Sequence, residues 1–185
     1  MKKSEQTREN LLQSARDAFW SKGYSNVSLR EIANGAGVDV ALVARYFGSK
    51  LGLFEAALAA GLDWPELFAE GADPVAVVVA KYANPATDAV ELSAMQMIMN
   101  NVTDPEVGDL VRERMWDKLI APLQKRMGGA EAAPNVALFL ATVLGMSMTR
   151  LCLRAPALAE ADPADYDAMF RHMIDAALSF RPTQG

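Results

Sequence analysis

The sequence SLREIANGAGVDVALVARYFGSK, residues 28–50, contains the signals of two short helices joined by a tight turn. Ser28 followed three residues later by Glu31 is typical of a capping box, which satisfies free amides at the start of a helix. Gly35 and Gly37 can adopt the positive φ that a sharp chain reversal requires. The first half of the stretch therefore predicts a short helix that ends in a glycine-containing turn.

The second helix of this stretch is predicted to follow Asp39, a favourable N-cap residue, and to cover Val40–Phe47. Two helices joined by a few residues that include glycine form a helix-turn-helix, whose second helix enters the major groove of DNA. The stretch therefore predicts an element that reads duplex DNA.

With its flanks, this region resembles the DNA-binding domain of TetR-family transcriptional regulators. An amphipathic helix ending at Lys22-Gly23-Tyr24 precedes it, and the motifs of the family follow in order as Ile32-Ala33, Ala36-Gly37-Val38, Tyr46-Phe47, Gly48-Ser49-Lys50 and Leu53-Phe54. The resemblance implies an all-α fold with two domains. These are an N-terminal helix-turn-helix three-helix domain over residues 1–48 and a C-terminal helical ligand-binding and dimerisation domain over residues 49–185.

The composition is compatible with this assignment. Hydrophobic residues make up 51% of the 185 residues, enough for a substantial core, so intrinsic disorder is excluded. The single cysteine, Cys152, excludes an internal disulfide framework and fits a reducing cytoplasm. No N-terminal signal segment is visible, and the apolar segment 136–149 is shorter than a membrane span, which favours a buried helix.

The net charge of −5 is unevenly distributed along the chain. Residues 1–50 carry eight basic and five acidic side chains, a net charge of +3, and the remainder carries −8. A basic N-terminal part on an acidic remainder would orient the molecule toward phosphate. Ordinary charge scatter would also explain an asymmetry of this size, so the charge supports the motif without standing alone.

Helical signals continue through the rest of the chain. Asp followed by Pro predicts helix starts at three places, Asp73, Asp104 and Asp162, because Asp caps a helix and Pro fits its first turn. Pro122 is expected to break or kink the pattern between Val107 and Met127. No period-two strand pattern is evident, so the residues themselves also favour an all-α fold.

Candidate DNA-binding residues follow from the motif. By resemblance, Tyr46 and Lys50 contact the DNA backbone, and Ser28 and Arg30 join them from the first turn of the preceding helix. Base reading is expected from Val40, Ala41, Leu42, Ala44 and Arg45. Arg45 can contact guanine, whereas the apolar side chains can touch thymine methyl groups. Either Leu42 or Val43 must pack in the domain core, so at most one of the two can read bases.

The segment 135–153 is apolar on nearly every side, which requires neighbours on every side. A fully internal helix would satisfy this, but the resemblance implies a homodimer formed by the last two long helices. The predicted interface comprises Val136, Leu140, Val143, Tyr166, Phe170, Met173, Ile174 and Ala177. The resemblance also implies a pocket for a small apolar effector, predicted at Met95, Met99, Met115, Trp116, Phe139 and Met146. For each methionine, a plain core role is the alternative.

An enzymatic function is not supported by the sequence. There is one histidine, His172, and one cysteine, so no zinc constellation is available, and no glycine-rich phosphate loop occurs. The sequence predicts no cofactor and no membrane partner. The predicted function is a ligand-responsive transcriptional regulator, a repressor that binds a palindromic operator as a dimer. The alternative is an architectural or weakly specific DNA-binding protein without an effector.

Overall fold

The computed structural model describes residues 3–62, 64–82 and 88–181, with Lys3 and residues 88–94 described for their backbone only. Within these ranges the chain forms helices and turns and no β-strand, in agreement with the predicted all-α fold. The α-helices are α1 Lys3–Lys22, α2 Leu29–Gly35, α3 Ala41–Phe47, α4 Lys50–Gly61, α5 Pro65–Phe68, α6 Pro74–Tyr82, α7 Asp88–Asn101, α8 Gly108–Met115, α9 Ala121–Arg126, α10 Ala133–Ser147, α11 Pro156–Ala159 and α12 Pro163–Ser179.

The helices fold into two compact units that each combine distant parts of the sequence. The first unit contains the described residues as far as Leu62 together with Gln96–Met115, and so holds α1–α4, the end of α7, and α8. The second unit contains the described residues between Trp64 and Met95 and those from Trp116 onward. The predicted division of roles at residues 48 and 49 stays a prediction. By packing, α4 belongs with α1 in the first unit.

An aromatic cluster forms the centre of the first unit. The ring of Phe19 on α1 lies 5.2 Å from Phe54 on α4 and 5.6 Å from Tyr24, centroid to centroid. Trp20 contacts Phe54 edge-on at 6.4 Å. The amphipathic character predicted for the helix before Gly23 is confirmed, because one face of α1 buries Leu11, Leu12, Ala15 and Phe19. Burial of large apolar side chains such as these is the main stabilising term, about 1.5–3 kcal/mol each.

The core of the second unit lies between α10 and α12, with α6 packed on α12. Phe139 on α10 and Phe170 on α12 are 1% exposed or less. The rest of this core includes Leu67, Val78, Val79, Leu123, Val136, Val143, Tyr166 and Ile174. The apolar faces of α10 and α12 therefore pack against each other within the protomer.

Two of the three helix starts predicted from Asp-Pro are confirmed. Asp73 precedes α6 and Asp162 precedes α12, and each carboxylate accepts an amide of the first turn at 2.9 Å. The prediction at Asp104 is wrong, because α8 begins at Gly108. There the carboxylate accepts the amides of a turn over residues 105–107 instead of those of a helix.

Pro122 interrupts the helical run as predicted. The chain leaves α8 through a π-helical segment, Trp116–Ile120, before α9 begins. Proline has no N–H group to complete the α-helical bond to the carbonyl four residues earlier. The wider turns of the π segment lie directly before that missing donor, so the irregularity has a local cause.

One helical run among the described residues, Gly129–Cys152, is long and apolar enough to cross a membrane by length and composition alone. The run extends to 24 residues because it continues beyond the uncharged segment 136–149 at both ends. A core helix of a water-soluble protein passes the same test. The burial of Val136, Phe139 and Val143 against α12 is typical of such a core helix.

Candidate DNA-binding surface and effector cavity

The first helix of the helix-turn-helix begins with the predicted capping box. Ser28 Oγ accepts the N–H of Glu31 at 3.2 Å, and the Glu31 carboxylate accepts the N–H of Ser28 in return. The same carboxylate forms an ion pair with Lys22 at the end of α1. The hydrogen bond from Lys22 is the main reason that the pKa of Glu31 is lowered. The start of α2 is thus fixed both by its own cap and by α1.

The turn between α2 and α3 uses its two glycines in different ways. Gly37 has a φ of +66°, the left-handed conformation predicted from the sequence. Gly35 does not have a positive φ, and its role is close packing. A Cβ at this position would lie 2.5 Å from Ser14 Oγ on α1, and Ser14 itself donates to the carbonyl of Ile32 at 2.8 Å. Gly35 therefore allows α2 to approach α1.

The recognition helix α3 begins one residue later than predicted. Val40 occupies the N-cap position, while the carboxylate of Asp39 accepts the N–H of Ala41 at 2.7 Å. The capping role predicted for Asp39 is therefore present. Val43 is fully buried and Leu42 half-buried, so Val43 is the residue that serves the core.

The predicted DNA-binding residues lie on the accessible surface of the first unit to different extents. Ser28, Arg30, Val40, Ala41, Ala44 and Arg45 are exposed, and Leu42, Tyr46 and Lys50 are half-buried. Each residue is thus accessible, and their roles toward DNA stay predictions. Val40 retains 38% of its surface exposed, so its side chain is available for contact.

Two of the predicted cations are positioned by aromatic rings. The Lys50 ammonium, at the start of α4, lies 4.2 Å from the ring centroid of Tyr24. The Arg45 guanidinium lies 5.9 Å from the ring of Tyr46. Such cation–π contacts restrict long side chains without neutralising them, so the charge remains available to a phosphate or a base.

Sequence reasoning missed Asn101, which ends α7 and is fully buried. Its amide nitrogen donates to the carbonyls of Phe19 at 3.0 Å and of Met97 at 2.9 Å. Its carbonyl oxygen accepts the N–H of Tyr24 at 2.9 Å. One side chain therefore ties α7 to the segment that leads from α1 into α2.

The neighbouring contacts strengthen the same junction. Asn100 donates to the carbonyl of Trp20 at 2.6 Å, and Asp104 accepts the N–H of Ser25 at 3.1 Å. Gly23, with a φ of +80°, lies so close to α7 that a Cβ would meet the carbonyl oxygen of Asn100 at 2.6 Å. The Asn-Asn pair at the end of an apolar helix is the one sequence signal that could have indicated this junction.

A cavity lies in the second unit between α5, α6, the π segment, α9 and α10. Its volume is about 460 Å³, counting the part open to solvent. The wall is almost entirely apolar and includes Trp64, Leu67, Val77, Leu119 and Phe139. Clefts with such predominantly apolar walls are typical of small-molecule sites.

Of the residues predicted to bind an effector, Phe139 is the one that lines this cavity. Met95 is buried with its sulfur 3.7 Å from Cys152, and Met146 packs on the core of the second unit. Met99 and Trp116 are each 50% exposed, and Met115 is half-buried in the first unit. For the other five residues a role toward an effector stays a prediction.

The residues predicted for the dimer interface mostly lie inside the protomer. Those with at most 7% of their surface exposed are Val136, Val143, Tyr166, Phe170, Ile174 and Ala177. Leu140 is half-buried, and Met173 is 46% exposed. Because buried side chains offer no surface to a partner, only Met173 keeps a substantial part of the predicted face.

The comparisons with known proteins agree with the helix-turn-helix assignment. The family model "Bacterial regulatory proteins, tetR family" matches residues 11–57, and the model "Tetracyclin repressor-like, C-terminal domain" matches residues 73–178. These two matches confirm the resemblance noted from the sequence. A comparison with curated proteins finds no match.

Solved structures share the fold over almost the whole chain. NalD, the secondary repressor of the MexAB-OprM multidrug efflux pump in Pseudomonas aeruginosa, is 21% identical, with 94% of this chain and 95% of that chain covered and a TM-score of 0.67. A putative TetR-family transcriptional regulator from Rhodococcus sp. is 19% identical, with coverages of 94% and 99% and a TM-score of 0.69. A TetR-family regulator from Streptomyces coelicolor A3 is 22% identical, with coverages of 97% and 98% and a TM-score of 0.56.

Proposed function

The chain belongs to the TetR family of bacterial regulatory proteins, which are transcription regulators and not enzymes, and we propose that it is a repressor. In this proposal it binds a palindromic operator as a homodimer, and a small apolar effector releases it from the DNA. Because its partner is genomic DNA, we place it in the cytoplasm.

The observation that carries the proposal is the exposed face around α3. The tip of this helix presents Val40 and Ala41, and its last turn presents Arg45. Lys50 follows three residues after the end of α3, at the start of α4, and its ammonium lies over the ring of Tyr24. A helix that offers base-reading side chains beside phosphate-binding cations is the arrangement that helix-turn-helix proteins use.

We propose that the homodimer interface is formed by the outer face of α10 and not by the predicted interface residues that lie in the core. This outer face consists of Ala137, Leu138, Ala141, Leu144 and Gly145. It is apolar, exposed and free of charge, and a Cβ added to Gly145 would meet nothing within 4 Å. Met173 on α12 extends the apolar surface. A partner helix on this face would explain why α10 is apolar all round.

We propose that α7 couples the binding of an effector in the second unit to the DNA affinity of the first unit. Helix α4, Lys50–Gly61, lies wholly in the first unit. Helix α7 has residues in both units, and Asn101 anchors its end beside Tyr24. An effector acts only if it binds the DNA-free arrangement more tightly than the DNA-bound one.

The first test is fluorescence anisotropy with the DNA that flanks the protein's own gene, at two salt concentrations, against a scrambled fragment. The repressor proposal expects a preference of at least roughly a thousandfold for the flanking DNA. Equal and salt-sensitive binding to both fragments would instead support the architectural alternative, which the scarcity of hydrogen-bonding side chains on α3 favours.

Two substitutions distinguish base reading from phosphate contact in the proposed DNA-binding surface. Arg45→Ala should cost about 1–3 kcal/mol of operator binding and relax the preference at one base step. Lys50→Ala should weaken binding to every sequence and lower the salt slope by about one unit. Lys125→Ala, an exposed lysine of the second unit, is the control and should leave both quantities unchanged. Unchanged DNA binding in both Arg45→Ala and Lys50→Ala would contradict the proposed placement of α3 and the start of α4 on the DNA.

A further inference from the structure

The cavity of the second unit has a wall chemistry that restricts what can bind there. Of its described lining residues, all are apolar or aromatic except Glu66 and Lys81. The Lys81 ammonium lies 3.6 Å from a carboxylate oxygen of Glu66. The two side chains retain 25% and 52% of their surface exposed, so they sit at the open side of the cavity.

The charge balance of this wall selects against ions. Glu66 and Lys81 neutralise each other, so the described wall offers no net charge to a ligand. A charged ligand that entered the apolar part would lose its hydration without gaining a counter-charge. A neutral molecule does not meet this cost, and its apolar surface is removed from water on binding.

Aromatic side chains form a large part of the cavity wall. Trp64, Tyr82 and Phe139 come from three separate segments and all line the cavity. Aromatic side chains interact with one another and with aromatic ligands in offset-stacked or edge-to-face geometries. The three rings therefore favour a flat aromatic ligand over an aliphatic chain.

We propose that this cavity binds a neutral, planar aromatic molecule that carries one hydroxyl group. The rings lie against Trp64, Tyr82 and Phe139, and the hydroxyl donates to the carboxylate of Glu66 at the mouth. This inference rests on the proposed function for its regulatory meaning, because the compound would be the effector that releases the operator.

The test uses 1-naphthol as the probe, with naphthalene-1-sulfonate and 1-naphthylmethylammonium as charged analogues of the same ring. Binding is measured by calorimetry on the full-length protein. We expect 1-naphthol to bind and each ion to bind at least roughly tenfold more weakly. Decahydro-1-naphthol, which keeps the hydroxyl but lacks the aromatic rings, should also bind more weakly. Equal binding of the ions or of the saturated alcohol would overturn the proposed ligand class.

A matched pair of variants on α6 locates the site. Val77 is half-buried and lines the cavity, whereas the adjacent Ala76 is exposed and does not line it. Val77→Trp should fill the space and abolish naphthol binding, while Ala76→Trp should keep it. Retained operator binding by both variants shows that they fold. Undiminished naphthol binding by a folded Val77→Trp protein would show that the probe binds elsewhere and would overturn the assignment.

Operator affinity, measured with and without 1-naphthol, separates this inference from the proposed function. If Val77→Trp loses naphthol binding, and 1-naphthol does not change the operator affinity of the wild type, the cavity is supported and the effector role is contradicted. Specific operator binding by a protein that binds no probe supports the regulator and contradicts the cavity assignment. Release of the operator by 1-naphthol in the wild type, but not in Val77→Trp, supports both.

Discussion

Asn101 shows how a single amide can hold a junction together. Each polar atom of its side chain has a backbone partner, and the side chain is fully buried. Replacing Asn101 with Ala would leave the N–H of Tyr24 and the carbonyl of Phe19 without this partner. An unsatisfied buried group costs about 1–3 kcal/mol.

We therefore expect Asn101→Ala to lower the free energy of unfolding by about 1–3 kcal/mol, because the buried N–H of Tyr24 loses its partner while the carbonyl of Phe19 keeps the N–H of Gly23. Urea denaturation followed by circular dichroism measures this. Asn34→Ala, at an exposed position of α2, is the control and should change stability by less than about 0.5 kcal/mol. A loss in Asn101→Ala no larger than in the control would show that the junction does not need this amide.

Asp104 makes the same junction sensitive to acid. Burial by itself would raise the pKa of this carboxyl group, but hydrogen bonds from Ser25, Glu106 and Val107 lower it below the ordinary value of 3.8. An acid with a lowered pKa stabilises the fold above its ordinary pKa, and this contribution is lost as the pH falls through the folded value.

Thermal unfolding of the wild type and of Asp104→Asn should therefore differ most at neutral pH. We expect the difference to shrink as the pH falls below about 4, where the unfolded carboxyl group is already protonated. A constant difference down to acid pH would mean that the charge of Asp104 is unimportant and that only its shape matters.

The residues that the sequence predicted correctly act over short distances along the chain. The caps at Ser28 and Asp39 and the positive φ of Gly37 depend on neighbours within a few positions. Asn101 could not be predicted in this way, because its partners Tyr24 and Phe19 lie 77 and 82 residues away. Only the folded chain shows why an asparagine ends that helix.

At the level of helices, α10 is the element with two apolar sides. Its inner side packs on α12, and its outer side presents Ala137, Ala141 and Gly145. Ala141→Arg places a charge on the outer side without filling the core, so we expect a folded monomer in place of a dimer. Analytical ultracentrifugation measures the mass, and Ala157→Arg, exposed near α11, is the control that should stay dimeric.

The sequence could predict that α10 needs neighbours on every side but not which side meets which neighbour. Periodicity alone makes Val136, Phe170 and Ile174 equally suitable for a protomer core or for a partner. In the structure they form the core. The cavity was missed for a related reason. Its wall includes Trp64, which precedes the four-residue helix α5, too short to give a periodic signal.

At the scale of the whole molecule, the proposed repressor needs two recognition helices spaced for successive turns of DNA. Linking two weak half-site contacts in one dimer raises the overall affinity steeply. We therefore expect the wild type to bind a full palindrome far more tightly than a half-site, and Ala141→Arg to bind both equally weakly. Tight binding of the palindrome by a monomeric Ala141→Arg protein would contradict the dimer mechanism.

The boundary between the units was also beyond sequence reasoning. A linear division at residue 48 separates α3 from α4, yet α4 packs on α1 and residues 96–115 return to the same unit. Composition and motifs describe neighbours along the chain, and a segment that returns after some thirty residues leaves no local mark. The helix-turn-helix itself was predictable because all of its signals lie within 28–50.

The apolar tip of α3 has a consequence for chemically modified genomes. Val40 and Ala41 can recognise a base only by contact with a methyl group, the feature that thymine presents in the major groove. Cytosine methylated at carbon 5 carries a methyl group at the same ring position. An operator in which such a thymine is exchanged for 5-methylcytosine should therefore keep that contact, whereas unmodified cytosine should lose it. A cytosine methyltransferase acting on the operator could then tune the regulator's occupancy without any change in the protein.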